Sequence, residues 1–158
     1  MAKSSTTFNI AMKKKAIEFS LKAEKQEFPV AKIRSSKDSA DFARQFYYDD
    51  ISIYESSFIL LMNQANTAIG YAKISQGGVC STIVDVRLIA KYAVESLAAS
   101  VILVHNHPSG NLQFSREDTR IAQQVRNGLN TLGIKLLDSI VICENGYASM
   151  VDEGLLKT

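Results

Sequence analysis

Histidine occurs twice in the 158-residue chain, and both copies fall in one stretch, His105-Asn106-His107-Pro108-Ser109-Gly110. In a strand, residues two apart point to the same face, so a strand ending here presents both imidazoles on one side. Proline stops the strand and Ser109-Gly110-Asn111 reverses the chain. A helix opening at Ser115 then brings Asp118, in its first turn, back toward the histidines. Two imidazoles and one carboxylate leave the fourth tetrahedral position of a zinc ion to water, the catalytic rather than the structural arrangement. Zinc lowers the pKa of such a water from about 15.7 to about 7, which makes it a nucleophile at neutral pH.

A base must take that water's proton, and the three ligands are already engaged. Glu55 is the candidate, because it starts a strand whose later residues, Ile59 to Met62, are apolar, placing a carboxylate at a sheet end where a site can form. Asp85 and Glu95 are other upstream acids. Each residue also has a plainer role. Ser115 and Asp118 form an ordinary capping box, which satisfies free N–H groups and complements the helix dipole. Glu55 is also read as a solvated strand-end acid, and an isolated His-x-His is more often polar decoration than a metal site. Pro108, the downstream spacing and the lack of any other histidine tip the balance to the metal. Ser109 and Gly110 are turn residues.

These residues need elements to hold them. Ser36 or Asp38 can cap a helix over Ser39–Tyr48, with Phe42 and Phe46 on one face. Tyr54–Met62 and Thr67–Ser75, joined through Asn63-Gln64-Ala65-Asn66, read as a hairpin that Gly77-Gly78 closes. From Asp85 to Ala99 the spacing of Ile89, Ala93 and Leu97 predicts an amphipathic helix. Val101–Val104 has the continuous apolar character of a strand buried on both faces. After Ser115 a second helix shows Ile121, Val125, Leu129 and Leu132 on one face, stopped by Gly133. Strands near Lys135–Cys143 and Tyr147–Val151 flank the turn Glu144-Asn145-Gly146. That order describes an α/β domain, a mixed β-sheet flanked by helices. Residues 1–37 read as a basic N-terminal arm, partly ordered, with an alternating strand pattern at Ile17–Ala23, and residues 38–158 as the domain.

Composition narrows the class. Hydrophobic residues make up 46% and charged residues 22% of the chain, the balance of a globular domain able to bury a core. The net charge of +2 is small and the basic excess sits early, at Lys13, Lys14, Lys15, Lys22 and Lys25, so it gives little support to a nucleic-acid partner. Cys80 and Cys143 are far apart, without metal-knuckle or disulfide-framework spacing, and are expected reduced and at least half-buried. No apolar run approaches the roughly 20 residues of a membrane helix, and the N-terminus lacks a signal-peptide core. The expected location is cytoplasmic, without membrane contact; the oligomeric state is left open.

The segment from His105 to Asp118 resembles the JAMM motif of MPN-domain metalloproteases, in which an upstream glutamate is followed by His-x-His-Pro, six residues, and Ser-x-x-Asp. Within that superfamily His-Asn-His-Pro-Ser-Gly looks like the signature of RadC-like proteins. Leu61-Met62-Asn63, Ser75-Gln76-Gly77-Gly78-Val79 and Lys135-Leu136-Leu137-Asp138 are similar to RadC sequence too, so the resemblance covers about residues 36–154. It implies a JAMM/MPN domain with a cytidine-deaminase-like core, a zinc cofactor on His105, His107 and Asp118, Glu55 as general base, and Ser115 as hydrogen-bond donor to the oxyanion. The implied reaction is amide hydrolysis on a peptide or protein substrate. The alternative that the family name carries is a non-catalytic or DNA-repair-associated module acting through nucleic-acid or protein contacts. Three departures stand out: Phe114 where RadC proteins commonly have proline, Ser139 where they commonly have histidine, and no counterpart of the N-terminal helix-hairpin-helix region of longer members.

Overall fold

The structure is a computed structural model that describes residues 29–47, 50–78 and 84–157. The expected strand at Ile17–Ala23 and Cys80 lie outside them. The elements run β1 (Ala31–Lys32), α1 (Ser36–Arg44), β2 (Glu55–Met62), β3 (Thr67–Gly78), α2 (Val86–Glu95), β4 (Ser100–Asn106), α3 (Arg116–Asn130), β5 (Lys135–Cys143) and β6 (Gly146–Ser149). The mixed α/β sheet has the order β1-β3-β2-β4-β5-β6, in which β4 and β5 are parallel and the other neighbours antiparallel.

β2 and β4 are the middle strands, and both are apolar almost throughout because both of their faces are covered. On one face α2 and α3 bring Ile89, Ala93, Val125 and Leu129 against Ile59, Leu61, Val101 and Leu103. On the other, Phe42 of α1 and Phe46, in the turn just after it, pack on Phe58, Leu60, Ile102 and Val104. At its C-terminal end α1 is tied to the β5–β6 turn, where Arg44 donates to the carbonyls of Cys143 at 2.7 Å and Gly146 at 2.6 Å.

Several boundaries differ from the sequence expectation. The cap of α1 is Ser35, whose side chain accepts from the Asp38 amide, rather than Ser36 or Asp38. Asp38 instead accepts from the Arg34 amide at 2.8 Å. β3 runs on through Gly78 because a register shift lets it stay paired with Glu55. α2 stops at Glu95, short of Ala99. There Leu97 takes the left-handed conformation (φ 54°), and the Ala98 amide bonds back to the Ala93 carbonyl, so the closing turn forms without glycine. β4 includes both His105 and Asn106. Ala31 and Lys32 pair with β3, and Ile33 is buried in the α1 core.

Candidate metal centre

His105 is the last residue of β4 that pairs with β2, opposite Ser57, and it points to the face covered by α2 and α3. His107 has left that pairing, and its amide now bonds the Ile142 carbonyl of β5. The loop that follows closes on itself where the Gly110 amide reaches back to the His107 carbonyl, and the positive φ of 80° at Gly110 turns the chain onward to Asn111. Ser115 then caps α3 in a full capping box. Its hydroxyl accepts from the Asp118 amide at 3.0 Å, and Asp118 Oδ2 takes the Ser115 amide at 2.7 Å. The Ser115 hydroxyl also donates to Asp118 Oδ2 at 2.7 Å.

The result is a convergent donor set. His105 Nε2 lies 3.1 Å from His107 Nε2 and 3.2 Å from Asp118 Oδ1, while His107 Nε2 lies 3.6 Å from Asp118 Oδ2. Two ligands held about 2.0–2.1 Å from one tetrahedral zinc stand roughly 3.3 Å apart. The separations therefore match the edges of a zinc coordination tetrahedron, and nitrogen and oxygen are donor types zinc accepts, so the residues fit the metal. The side chains are mostly shielded from solvent, His105 at 8%, Asp118 at 13% and His107 at 16% exposure.

Electrostatics agree with a site arranged for positive charge. Burial pushes the Asp118 carboxyl up, but hydrogen bonds from His105, His107 and Ser115 outweigh it and hold the group well below the usual carboxylate range. The Asp118 carboxylate in turn raises the pKa of His107 against the opposing effect of burial, with the Asn111 carbonyl and Glu55 adding to the rise.

Behind the donors is a small cavity with about 20 Å³ open to the centre of a water molecule, lined by Glu55, Ser57, His105, Asp118 and Ser139, with Leu103 and Ile121 as an apolar wall. The structure thus brings Glu55 to the same cavity as two of the three metal-binding candidates. Asp85 is elsewhere, as the N-cap of α2 paired to Arg87, and Glu95 is exposed at the end of that helix. Among the described residues, Ser57 Oγ and Ser139 Oγ are the buried side-chain polar atoms without a hydrogen-bond partner. A buried hydroxyl left unpaired costs about 1–3 kcal/mol, so both mark the cavity as a place that rewards a polar occupant. Sequence reading missed Ser57, although the two-residue period from Glu55 puts both on one strand face. Ser139, noted there as a departure, turns out to line the cavity. Cys143 is a free, buried thiol whose pKa is raised by burial.

Sheet order, helices on both faces and a His-x-His strand end facing a capped helix together define a domain of the JAB/MPN class. The sequence matches the RadC-like JAB domain over residues 33–155, and the chain belongs to that family. It is 40% identical over 124 residues to a UPF0758 protein of Flavobacterium johnsoniae, covering 78% of this chain and 53% of that protein. To a UPF0758 protein of Porphyromonas gingivalis it is 44% identical over 103 residues, covering 65% and 45%. One from Coprothermobacter proteolyticus is 33% identical over 129 residues, covering 80% and 54%. The chain spans about half the length of these curated relatives. No helix among the described residues is long and apolar enough to cross a membrane.

Proposed function

We propose that this domain is a zinc-dependent amide hydrolase of the metallopeptidase or isopeptidase kind, acting on a peptide or protein substrate. The observation that carries the reading is the cavity shared by His105 and Asp118 of the zinc-compatible donor set and by Glu55, a carboxylate without a hydrogen-bond partner among the described residues. His105, His107 and Asp118 would hold the ion; bound there, zinc supplies Lewis acidity and lowers the pKa of water into the neutral range.

The remaining work falls to the chain's own groups. Glu55 accepts the proton of the attacking water and returns it to the leaving amine. Asn111 orients His107, and Ser115 orients Asp118. For Ser115 to donate to the oxyanion of a tetrahedral intermediate, its hydroxyl swings away from Asp118 Oδ2 while its acceptance from the Asp118 amide keeps it at the helix start. Leu103 and Ile121 keep one side of the cavity dry.

Glu55→Gln tests the reading, because it keeps size and hydrogen bonding but cannot take the proton. Zinc content is expected to stay at wild-type level while hydrolysis of a responsive member of a panel of peptides and ubiquitin-like conjugates drops by about 10²–10⁴-fold. Full activity of Glu55→Gln on such a substrate would remove Glu55 as the base.

A further inference from the structure

Asn106 lies between the two histidines in sequence but faces the other way, completely buried. β2 and β4 are paired as far as Ser57 and His105, and the next pair in that register would be Ser56 with Asn106. There the ladder changes character. The Ser56 amide donates not to a backbone carbonyl but to the Asn106 side-chain oxygen, at 2.7 Å. The side-chain nitrogen of Asn106 donates to the Tyr54 carbonyl at 2.7 Å and to the Ile51 carbonyl at 2.6 Å. Both amide hydrogens and the oxygen are thus engaged, and each partner admits only one orientation of the carboxamide.

The strands part at this point. β4 continues toward β5, where the His107 amide bonds the Ile142 carbonyl, while β2 begins at Glu55. The fork between them opens onto the cavity that Glu55 and His105 share. Asn106 grips the main chain on both sides of Glu55, at the Tyr54 carbonyl and at the Ser56 amide. The Tyr47 hydroxyl holds Ser56 from a third direction by donating to its carbonyl at 3.2 Å.

We propose that Asn106 is a positioning residue for Glu55: its carboxamide staples the fork between β2 and β4 and so fixes the distance from that carboxylate to the histidines on either side of Asn106. The inference rests on the hydrolase reading for what Glu55 does, but the staple itself is independent of it. Loss of the carboxamide would leave the buried Ser56 amide and the part-buried carbonyls of Ile51 and Tyr54 to find new partners.

Native-state amide exchange on the full chain separates this from a merely structural role. In Asn106→Ala the Ser56 amide should exchange at least about 10-fold faster, with the amides of Ile102, Val104 and Ile140 unchanged and zinc affinity within about threefold of wild type. Asn106→Asp keeps an acceptor for Ser56 but turns an oxygen toward the Ile51 and Tyr54 carbonyls. It should restore protection at Ser56 while the 50–54 turn stays loose. Asn106→Ser, too short to reach Ile51, serves if the alanine variant does not fold. On any substrate the domain cleaves, Asn106→Ala should lower kcat by about 10²-fold at near-constant KM, yet change little in a Glu55→Gln background, since a residue acting through Glu55 has nothing left to position. Unchanged Ser56 exchange, or uniform acceleration across β2, β4 and β5 with loss of zinc, overturns the proposal. If Glu55→Gln proves silent, the base assignment fails, and the exchange data alone decide whether the staple exists.

Discussion

His107 Nδ1 sits 2.7 Å from the main-chain carbonyl of Asn111, four residues further on. A carbonyl only accepts, so Nδ1 keeps its proton in both charge states; the charged ring turns its second N–H toward Asp118, and the neutral ring leaves the Nε2 lone pair facing His105 and Asp118. In the neutral ring the loop therefore selects the tautomer that would bind the proposed zinc through Nε2. That loop depends on Gly110, which bonds back to His107 at a positive φ.

Gly110→Ala should expose this dependence. A Cβ at Gly110 meets nothing within 4 Å, so the cost is backbone strain alone, roughly 1 kcal/mol. If the strain moves the Asn111 carbonyl, zinc affinity should fall by about 10-fold or more, in the range seen when partners of metal-binding histidines are lost. Competition with a chromogenic chelator measures it; an affinity equal to wild type would mean the carbonyl does not orient the ring.

Metal content is the most direct check on the donor set. Protein purified without added metal should carry close to one zinc per chain by mass spectrometry, and His107→Ala should lose most of it, since one of three protein ligands is gone. Wild-type protein that stays metal-free in micromolar zinc would defeat the zinc reading.

Ser115→Ala separates the two duties of that hydroxyl. Loss of the cap should lower stability by about 1 kcal/mol, readable in urea unfolding. Hydrolysis by the folded variant should fall further, by about 10²-fold, if the hydroxyl also serves the oxyanion. Unchanged turnover on folded protein would leave capping and the orientation of Asp118 as its whole role.

The Asp118–His107 pair predicts opposite pH trends for stability and metal binding. Asp118 has a depressed folded pKa, so its contribution is present above its unfolded value of 3.8 and fades as pH falls below it. His107 has a raised folded pKa, so its contribution is full below its unfolded value of 6.5 and is lost as pH climbs through the folded one. The metal-free wild type should therefore exceed metal-free His107→Ala most in stability between about pH 4 and 6.5, with the gap closing above. Zinc requires the neutral ring, so its affinity should rise over the same interval in which that gap closes. Calorimetry and zinc titration at matched pH check both; a stability gap independent of pH would show that the ion pair does not form.

Much of this was legible in sequence because it is local. The hairpin of β2 and β3, the capping box at Ser115 and the left-handed stop at Gly133, which has φ 71°, each depend on residues a few positions apart. The His-x-His face follows from strand period alone. Boundaries were harder where neighbours compete: Ser35, Ser36 and Asp38 can all cap a helix, and the choice rests on Arg34 claiming Asp38. The two-residue β1 carries no periodicity to read, and its existence depends on pairing with β3. Ser57, Asn106 and Ser139 acquire their places only when β2, β4 and β5 lie side by side, which no window of sequence contains.

The candidate ligands all come from one unbroken stretch, His105 to Asp118, whereas Glu55 belongs to a strand that reaches them only through antiparallel pairing across the sheet. Inheritance can act on the two separately. On the proposed reading, a lineage that drifts at position 55 or along the start of β2 would lose the base and still keep the candidate ligands, indistinguishable from the ancestor by its histidine motif. The histidine motif would then record the capacity to hold an ion, and the residues around position 55 whether the proposed chemistry can follow.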